Sequence, residues 1–330
     1  MKPTILVTGG AGYIGSHAVM ALCDAGYRVV VLDNLTTGFA WAVDKRATLV
    51  EGAVDNVALV RRICAEYDVI GVMHFAGSII VPESVENPLK YYANNTAASR
   101  ALIAAVVACG VQHFIFSSTA ATYGIPEEVP VKETTPLAPI NPYGRSKLMT
   151  EWMLADVAAA HKFNYCALRY FNVAGADPHG RSGQSTAGAT HLIKIAVEVA
   201  TGKRNHVSIF GTDYATPDGT GVRDYIHVSD LATAHLRALE ALFADPTRSH
   251  TLNCGYGKGY SVLEVLDAVR RVTNLEIKAE MAPRRAGDPD CLISDNREIL
   301  ARFPWVPEYD DLDMIVSHAL AWERKLAARP

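Results

Sequence analysis

Thr8-Gly9-Gly10-Ala11-Gly12-Tyr13-Ile14-Gly15 is the stretch that decides the fold of this chain. It follows a short apolar run, Thr4–Thr8, and opens an amphipathic stretch over 13–25. Two glycine registers fit it, Gly9-xx-Gly12-xx-Gly15 and Gly10-x-Gly12-xx-Gly15. In a strand-to-helix turn one glycine takes the sharp bend, one lets backbone N–H groups approach a pyrophosphate, and one lets helix and strand pack closely. The helix that starts there adds unpaired N–H groups and the positive end of its dipole, which suits an anion. A purely structural turn could use the same residues, so the context matters. Asp33 closes the next apolar run, Arg28–Asp33, where a carboxylate can accept hydrogen bonds from ribose hydroxyls. The same charge repels a 2′-phosphate, and no Arg follows in Asn34-Leu35-Thr36, which favours NAD over NADP. The other reading of Asp33 is a strand-end turn residue.

Outward from this turn, apolar runs over 69–76, 113–118 and 165–171 alternate with amphipathic stretches over 56–66, 87–109 and 142–161. Crossovers of that length imply parallel pairing. Runs such as Val29-Val30-Val31-Leu32 suit a sheet covered on both faces. The fold class is therefore α/β, a Rossmann-type doubly wound parallel sheet over 1–175. The pattern changes near residue 175: Gly, Ser, Pro and Asp dominate 176–188 and 212–221, and helices are expected near 192–201, 228–243, 261–273 and 312–327. Residues 176–330 are read as a smaller α/β substrate domain, with some of its strands rejoining the first sheet.

The chain has 330 residues, 49% of them hydrophobic, and a formal net charge of -4. No basic run or stripe points to nucleic acid. No segment approaches the ~18 apolar residues of a membrane span, and the N-terminus lacks the apolar region of a secretory signal. Cys23, Cys64, Cys109, Cys166, Cys254 and Cys291 are scattered singly, without CxxC or zinc-type spacing. The expectation is a cytoplasmic chain with six small buried cysteines and no metal.

Tyr143-Gly144-Arg145-Ser146-Lys147 places a phenol and an ammonium four residues apart at the head of a helix, hence on one face. An ammonium close to a phenol lowers its pKa from ~10, which would make Tyr143 a general base. Taken alone, this is equally a surface Tyr–Lys pair. Ser117-Ser118-Thr119 ends an apolar run, at the strand end that faces the ligand crevice in such sheets. A hydroxyl there can polarise a reacting oxygen, or simply cap a turn. The order glycine turn, strand-end hydroxyl, Tyr-xxx-Lys is more specific than any one part.

With these motifs on hand, the chain resembles the extended short-chain dehydrogenases/reductases, and among them the UDP-glucose 4-epimerases. The matching stretches are TGGAGYIGSH (8–17), LDNL (32–35), HFAG (74–77), NN (94–95), SSTAATYG (117–124), YGRSK (143–147), LRYFNVAGA (168–176), IFGTDYATPDGTGVRDYIHVSDLA (209–232), NCGYGKGYSVLEV (253–265) and RRAGDP (284–289). The resemblance implies Thr119, Tyr143 and Lys147 as catalytic residues. It implies NAD contacts from Gly9, Gly12, Tyr13, Ile14, Gly15, Asp33, Asn34, Phe75, Ala76, Asn94, Lys147 and Tyr170. For a UDP-hexose substrate it implies Asn172, Leu192, Arg223, Arg285, Asp288 and Leu292, besides Thr119 and Tyr143. The forked donors of Arg223 and Arg285 suit a diphosphate, although the same charges could line a solvated loop. The implied reaction takes hydride from the sugar C4, leaves a 4-keto sugar that turns over while UDP stays anchored, and returns hydride to the other face. A homodimer through 87–109 and 142–161 is also implied.

Four positions depart from the resemblance: Ile79 where a Lys is frequent, Ala53 for an Asp (Asp55 is the nearest substitute), His191 for an Asn, and Ala121 for a hydroxyl. The first two bear on NAD retention. Leu292 stands where relatives place a bulky Tyr or a small residue, which leaves moderate room for a 2-acetamido group. The rivals are a 4-epimerase of a UDP-pentose or UDP-uronic acid, and a non-catalytic NAD(H) sensor. A 4,6-dehydratase would want acids after Thr119, where this chain has Ala120-Ala121.

Overall fold

The computed structural model describes residues 2–285 and 287–328. The chain begins β1 (Thr4–Thr8), α1 (Tyr13–Asp24), β2 (Arg28–Asp33), β3 (Thr48–Glu51), α2 (Val57–Tyr67) and β4 (Val69–His74). It continues through α3 (Val81–Glu86), α4 (Pro88–Tyr91), a π-helical turn (Tyr92–Ala97), α5 (Ala98–Ala108), β5 (His113–Thr119) and α6 (Pro142–Ala160) to β6 (Asn164–Tyr170). Then follow β7 (Asn172–Ala174), α7 (Leu192–Ala200), β8 (Val207–Phe210), β9 (Val222–Arg223), β10 (Tyr225–His227) and α8 (Val228–Ala244). The last elements are β11 (His250–Cys254), β12 (Tyr260–Ser261), α9 (Val262–Thr273), β13 (Ala279–Ala282), β14 (Cys291–Leu292), α10 (Arg297–Arg302) and α11 (Leu312–Ala327).

Seven strands form one sheet in the order β11-β6-β5-β4-β1-β2-β3, and every neighbour is parallel. The order reverses between β1 and β4, so the crevice outside the carboxyl ends of those strands is the natural ligand site. Alternate residues face opposite sides, and both sides are covered. Ile5, Val7, Val29, Val31, Met73 and Ile115 join one core with α1, α7, α8, α9 and α11. Leu6, Val30, Leu32, Val72, Phe114 and Phe116 join the other with α2, α5 and α6. That is why the strands read as unbroken apolar runs rather than alternating ones.

β11 comes from the C-terminal half yet lies in the large sheet, paired with β6 from His250↔Cys166 to Cys254↔Tyr170. The remaining short strands make three small sheets, β7 with β10, β8 with β13, and β9 between β12 and β14. Four cysteines are buried, but Cys109 is exposed beyond the last turn of α5 and Cys291 is half-buried, so the expectation of six buried thiols holds for four. Among the described residues, no helix is long and apolar enough to cross a membrane, and no cluster of His, Cys, Asp and Glu could hold a metal ion.

Candidate active site

The glycine turn is as tight as its sequence requires. Gly9 has φ +71°, and a Cβ there would sit 2.6 Å from the Ala76 backbone N. A Cβ on Gly15 would lie 2.1 Å from the Gly9 carbonyl oxygen, and one on Gly10 would meet Val31 at 2.8 Å. The close approach of α1 to β1 and β2 therefore excludes any side chain at these three positions. At Gly12 the nearest contact would be 3.3 Å, so its role is to keep the helix end open. That end has no side-chain cap and no acidic residue in its first turn. Its N–H groups and dipole face the crevice, a donor set that fits a pyrophosphate.

Asp33 is buried at the end of β2. Its Oδ2 accepts from Ala11 N at 2.9 Å and its Oδ1 from Leu35 N at 2.8 Å. Each carboxylate oxygen keeps a second lone pair for a ribose hydroxyl. Asn34 is exposed, and its Oδ1 accepts from Thr36 N. Tyr13 OH donates to Gly175 O at 2.7 Å, tying the first turn of α1 to the end of β7; Ile14 packs against the core beside it. Phe75 and Ala76 follow β4 across the switch point. Phe75 N donates to Thr8 O at 2.9 Å, and its ring lies 4.8 Å from that of His235.

Thr119 ends β5 and Tyr143 lies in the first turn of α6. Asn141 caps that helix, its Oδ1 accepting from Gly144 N at 2.8 Å, and Pro142 suits the first helical position. The Thr119 hydroxyl is hydrogen-bonded to the Tyr143 phenol. One turn on, Lys147 is buried, donates from Nζ to Ser117 O at 2.9 Å, and lies 5.0 Å over the Phe116 ring. Burial pushes this ammonium down to about 8. The acidified phenol expected from the Tyr-xxx-Lys spacing is absent in the protein alone. Burial instead pushes Tyr143 above its ordinary range, and the Thr119 hydrogen bond pulls the other way. Desolvation of the phenolate wins, since charge is costly where water is excluded. Tyr170 ends β6, with its hydroxyl bonded to Ser117 Oγ.

On the opposite side, Asn172 and Leu192 line a partly open pocket together with Tyr13, His191, Tyr225 and Trp322. Arg223 and Asp288 are brought together, with Nη2 to Oδ1 at 2.5 Å, and Arg223 Nη1 also donates to Val222 O. Arg285 lies 3.8 Å over the Phe210 ring. Leu292 is in register with Arg223 and packs against the small core of Ala120, Tyr123 and Val131. Of the departures, Ile79 and Ala53 are exposed, as is Asp55 beside the latter.

Residues 5–255 match the NAD dependent epimerase/dehydratase family. The chain belongs to this family. The UDP-glucose 4-epimerase of Azospirillum brasilense is 53% identical over 325 residues, covering 98% of this chain and 93% of that one. A structure of UDP-glucose-4-epimerase from Stenotrophomonas maltophila with bound NAD and formylated UDP-arabinopyranose superimposes with a TM-score of 0.95 at 38% identity, covering 98% of this chain and 99% of that one. The UDP-Glc/GlcNAc 4-epimerase of Campylobacter jejuni gives 0.85 at 47% identity, over 98% and 99%.

This member of the epimerase/dehydratase family carries site residues that its motifs did not mark. Asn94, singled out from the sequence, is exposed and bonds Ser78 Oγ. Its neighbour Asn95 is buried and ties three segments together: Oδ1 accepts from Ser78 N, while Nδ2 reaches Ser78 O and Ser146 Oγ. Glu151 and Arg169 form a buried two-pronged ion pair beneath the catalytic face, joined by Ser118 and Tyr123 hydroxyls. The adjacent Asn94-Asn95 hinted at the first. Nothing in the sequence marks the second, whose partners lie on different elements.

Proposed function

We propose that this chain is an NAD-dependent 4-epimerase that interconverts UDP-glucose and UDP-galactose through a 4-keto sugar. The observation that carries the reading is the Thr119–Tyr143 hydrogen bond with Lys147 one turn away, set at the mouth of a glycine cradle. NAD bound in that cradle supplies the acceptor and donor of hydride. Tyr143, as the phenolate, takes the proton of the sugar 4-hydroxyl and later returns it, with the Thr119 hydroxyl donating to the phenolate oxygen before the proton arrives. Lys147 contributes positive charge on the same helix face and is fixed by Ser117 O. Asn172, Leu192, Arg223 and Arg285 hold the UDP portion, so that remote binding energy retains the keto sugar while it turns. For Arg223 to grip phosphate it exchanges its bond with Asp288, which is then released toward a ribose hydroxyl.

Residues 1–175 serve the cofactor and 176–330 the UDP-sugar in this reading. The protein acts in the cytoplasm as a homodimer, through α5 and α6. The test is to denature the purified protein, assay released NAD, and follow UDP-galactose conversion without added cofactor. Tyr143→Phe should abolish turnover and leave the NAD content intact. A Tyr143→Phe protein with near-normal turnover overturns the mechanism. A protein that holds NAD but converts no UDP-sugar favours the sensor reading.

Leucine at position 292 favours one extension, turnover of UDP-N-acetylglucosamine, because it leaves space that a tyrosine would fill. Parallel assays on both UDP-sugars decide it; absence of acetamido-sugar turnover ends the extension.

A further inference from the structure

Two irregular segments flank the cradle, residues 34–47 after β2 and 175–191 after β7. A narrow cleft lies between them. Gly12, Tyr13 and Ser16 of α1 form its floor, Phe39 lines one wall, and Ser182 and Thr186 line the other. The 34–47 segment has one 3₁₀ turn (Ala40–Ala42) and no other regular structure. Each wall is bonded to the floor, Phe39 N to Ala11 O at 2.9 Å and Ser182 Oγ to Ser16 Oγ at 2.8 Å, and beyond those bonds the width of the cleft is set by what ties the walls together.

They are tied twice. At the far end of α1, Asp24 accepts from Arg46 Nη2 at 2.6 Å and from Arg181 Nη1 at 2.9 Å. Each arginine also pairs with an acid of its own segment, Arg46 with Asp44 and Arg181 with Asp177, both at 2.7 Å. One carboxylate thus holds both walls. At the other tie the rings of Trp41 and Trp322 lie 6.1 Å apart, with Phe39 stacked 5.0 Å behind Trp41. Trp322 Nε1 donates to Ser185 Oγ at 3.1 Å, so the aromatic run crosses from one wall to the other. Trp41 is 41% exposed, which makes it a poor contributor to the core.

We propose that these two ties are a clasp that governs how fast the dinucleotide leaves the cradle, with Trp41 and Asp24 as positioning residues remote from the reacting atoms. This rests on the reading of the cradle as an NAD site. A reaction that returns its hydride within each cycle fails whenever the reduced cofactor escapes, so retention matters as much as binding. Neither wall can move outward without breaking the Trp41–Trp322 contact, the Asp24 bridge, or both. The aromatic tie is insensitive to salt. The ionic tie is exposed and therefore screened, so release should quicken as ionic strength rises.

The experiment compares wild type, Trp41→Ala, Trp41→Phe and Asp24→Asn as purified holoproteins. NAD content is measured after denaturation, and exchange is followed with radiolabelled NAD at low and high salt. An aromatic contact of ordinary strength predicts exchange about three- to tenfold faster in Trp41→Ala, with partial rescue in Trp41→Phe. Asp24→Asn should give a smaller acceleration and lose the salt dependence. The change falls on the NAD concentration that half-saturates turnover. Melting temperature, read alongside, separates a loosened clasp from a damaged fold. Variants that keep NAD and exchange it at the wild-type rate overturn the clasp alone. A wild-type protein that holds no dinucleotide overturns the cofactor reading and the clasp with it.

Discussion

Tyr143 lies where a phenol is hard to ionise, partly buried and one helical turn from an ammonium whose own pKa burial has depressed. The Thr119 hydroxyl opposes this by favouring the phenolate. Thr119→Val should therefore push the phenol still higher, move the alkaline-rising limb of the pH–rate profile upward, and lower kcat near neutrality by about tenfold or more. A profile superimposable on wild type would remove Thr119 from the mechanism. Gly15→Ala tests the cradle at the same scale. Its Cβ would enter the Gly9 carbonyl oxygen, so the turn must open. The expected outcome is loss of bound NAD and a destabilisation of several kcal/mol, on the order of an overpacked core. Urea unfolding and NAD release report the two effects separately. The placement of Tyr143 and Lys147 was legible because i, i+4 spacing on a helix puts two side chains on one face whatever the rest of the chain does. Glu151 and Arg169 were not, because their pairing depends on how α6 lies on β6. The ionisation of Tyr143 was misread because spacing reports a neighbouring charge and is silent on the burial that outweighs it.

Helix α6 carries Tyr143 in its first turn, so the end of the element is part of the site. Asn141→Ala removes the cap to Gly144 N and should cost about 1 kcal/mol. It should also lower kcat by loosening the turn that holds the phenol. Denaturant unfolding and steady-state rates check both, and a loss of stability without any loss of rate would show that packing alone positions Tyr143. Elements with a clear start signal, Asn141-Pro142 for α6 and the Ser261–Glu264 capping box for α9, were legible to within a residue or two. The stretch 87–109 was not. It reads as one helix, but forms α4, a π-helical turn and α5. Pro88 starts it, Asn87 caps it, and the wide turn at 92–97 lets Asn95 point inward to Ser78 and Ser146. A single extra residue per turn leaves no trace in hydrophobic spacing.

Across the whole molecule, buried histidines set the response to acid. Burial pushes His17 and His235 down to about 4, and His74 and His227 to about 3. In the unfolded chain each returns to ~6.5. Between pH 6.5 and about 4 the unfolded state therefore binds more protons, and stability falls as pH falls. Asp224 and Asp230, raised by burial, act in the opposite sense. His113, His191, His250 and His318 are lowered in the same direction and Glu133 is raised with the two aspartates, so the histidines outweigh the raised carboxyls and the net is a loss, each fully engaged histidine contributing up to about 1.4 kcal/mol per pH unit. Urea midpoints should be highest near neutrality and decline steadily from pH 6 to pH 5; a flat response would contradict the buried neutral imidazoles. At this scale the alternation of apolar runs and helices was enough to read a parallel doubly wound sheet, because each crossover admits few other solutions. The position of β11 was not readable, since nothing in His250–Cys254 names the strand it will join.

That strand has a consequence for synthesis. A nascent chain emerging from the ribosome can lay down β1 to β6 early, but β6 stays an open edge until residues near 254 have cleared the exit tunnel. The α1 surface that α8 will cover waits almost as long. A half-made molecule thus offers an unpaired strand and an apolar helix face to its neighbours, and a polypeptide stopped at residue 175 should accumulate as aggregate rather than as a soluble cofactor-binding fragment.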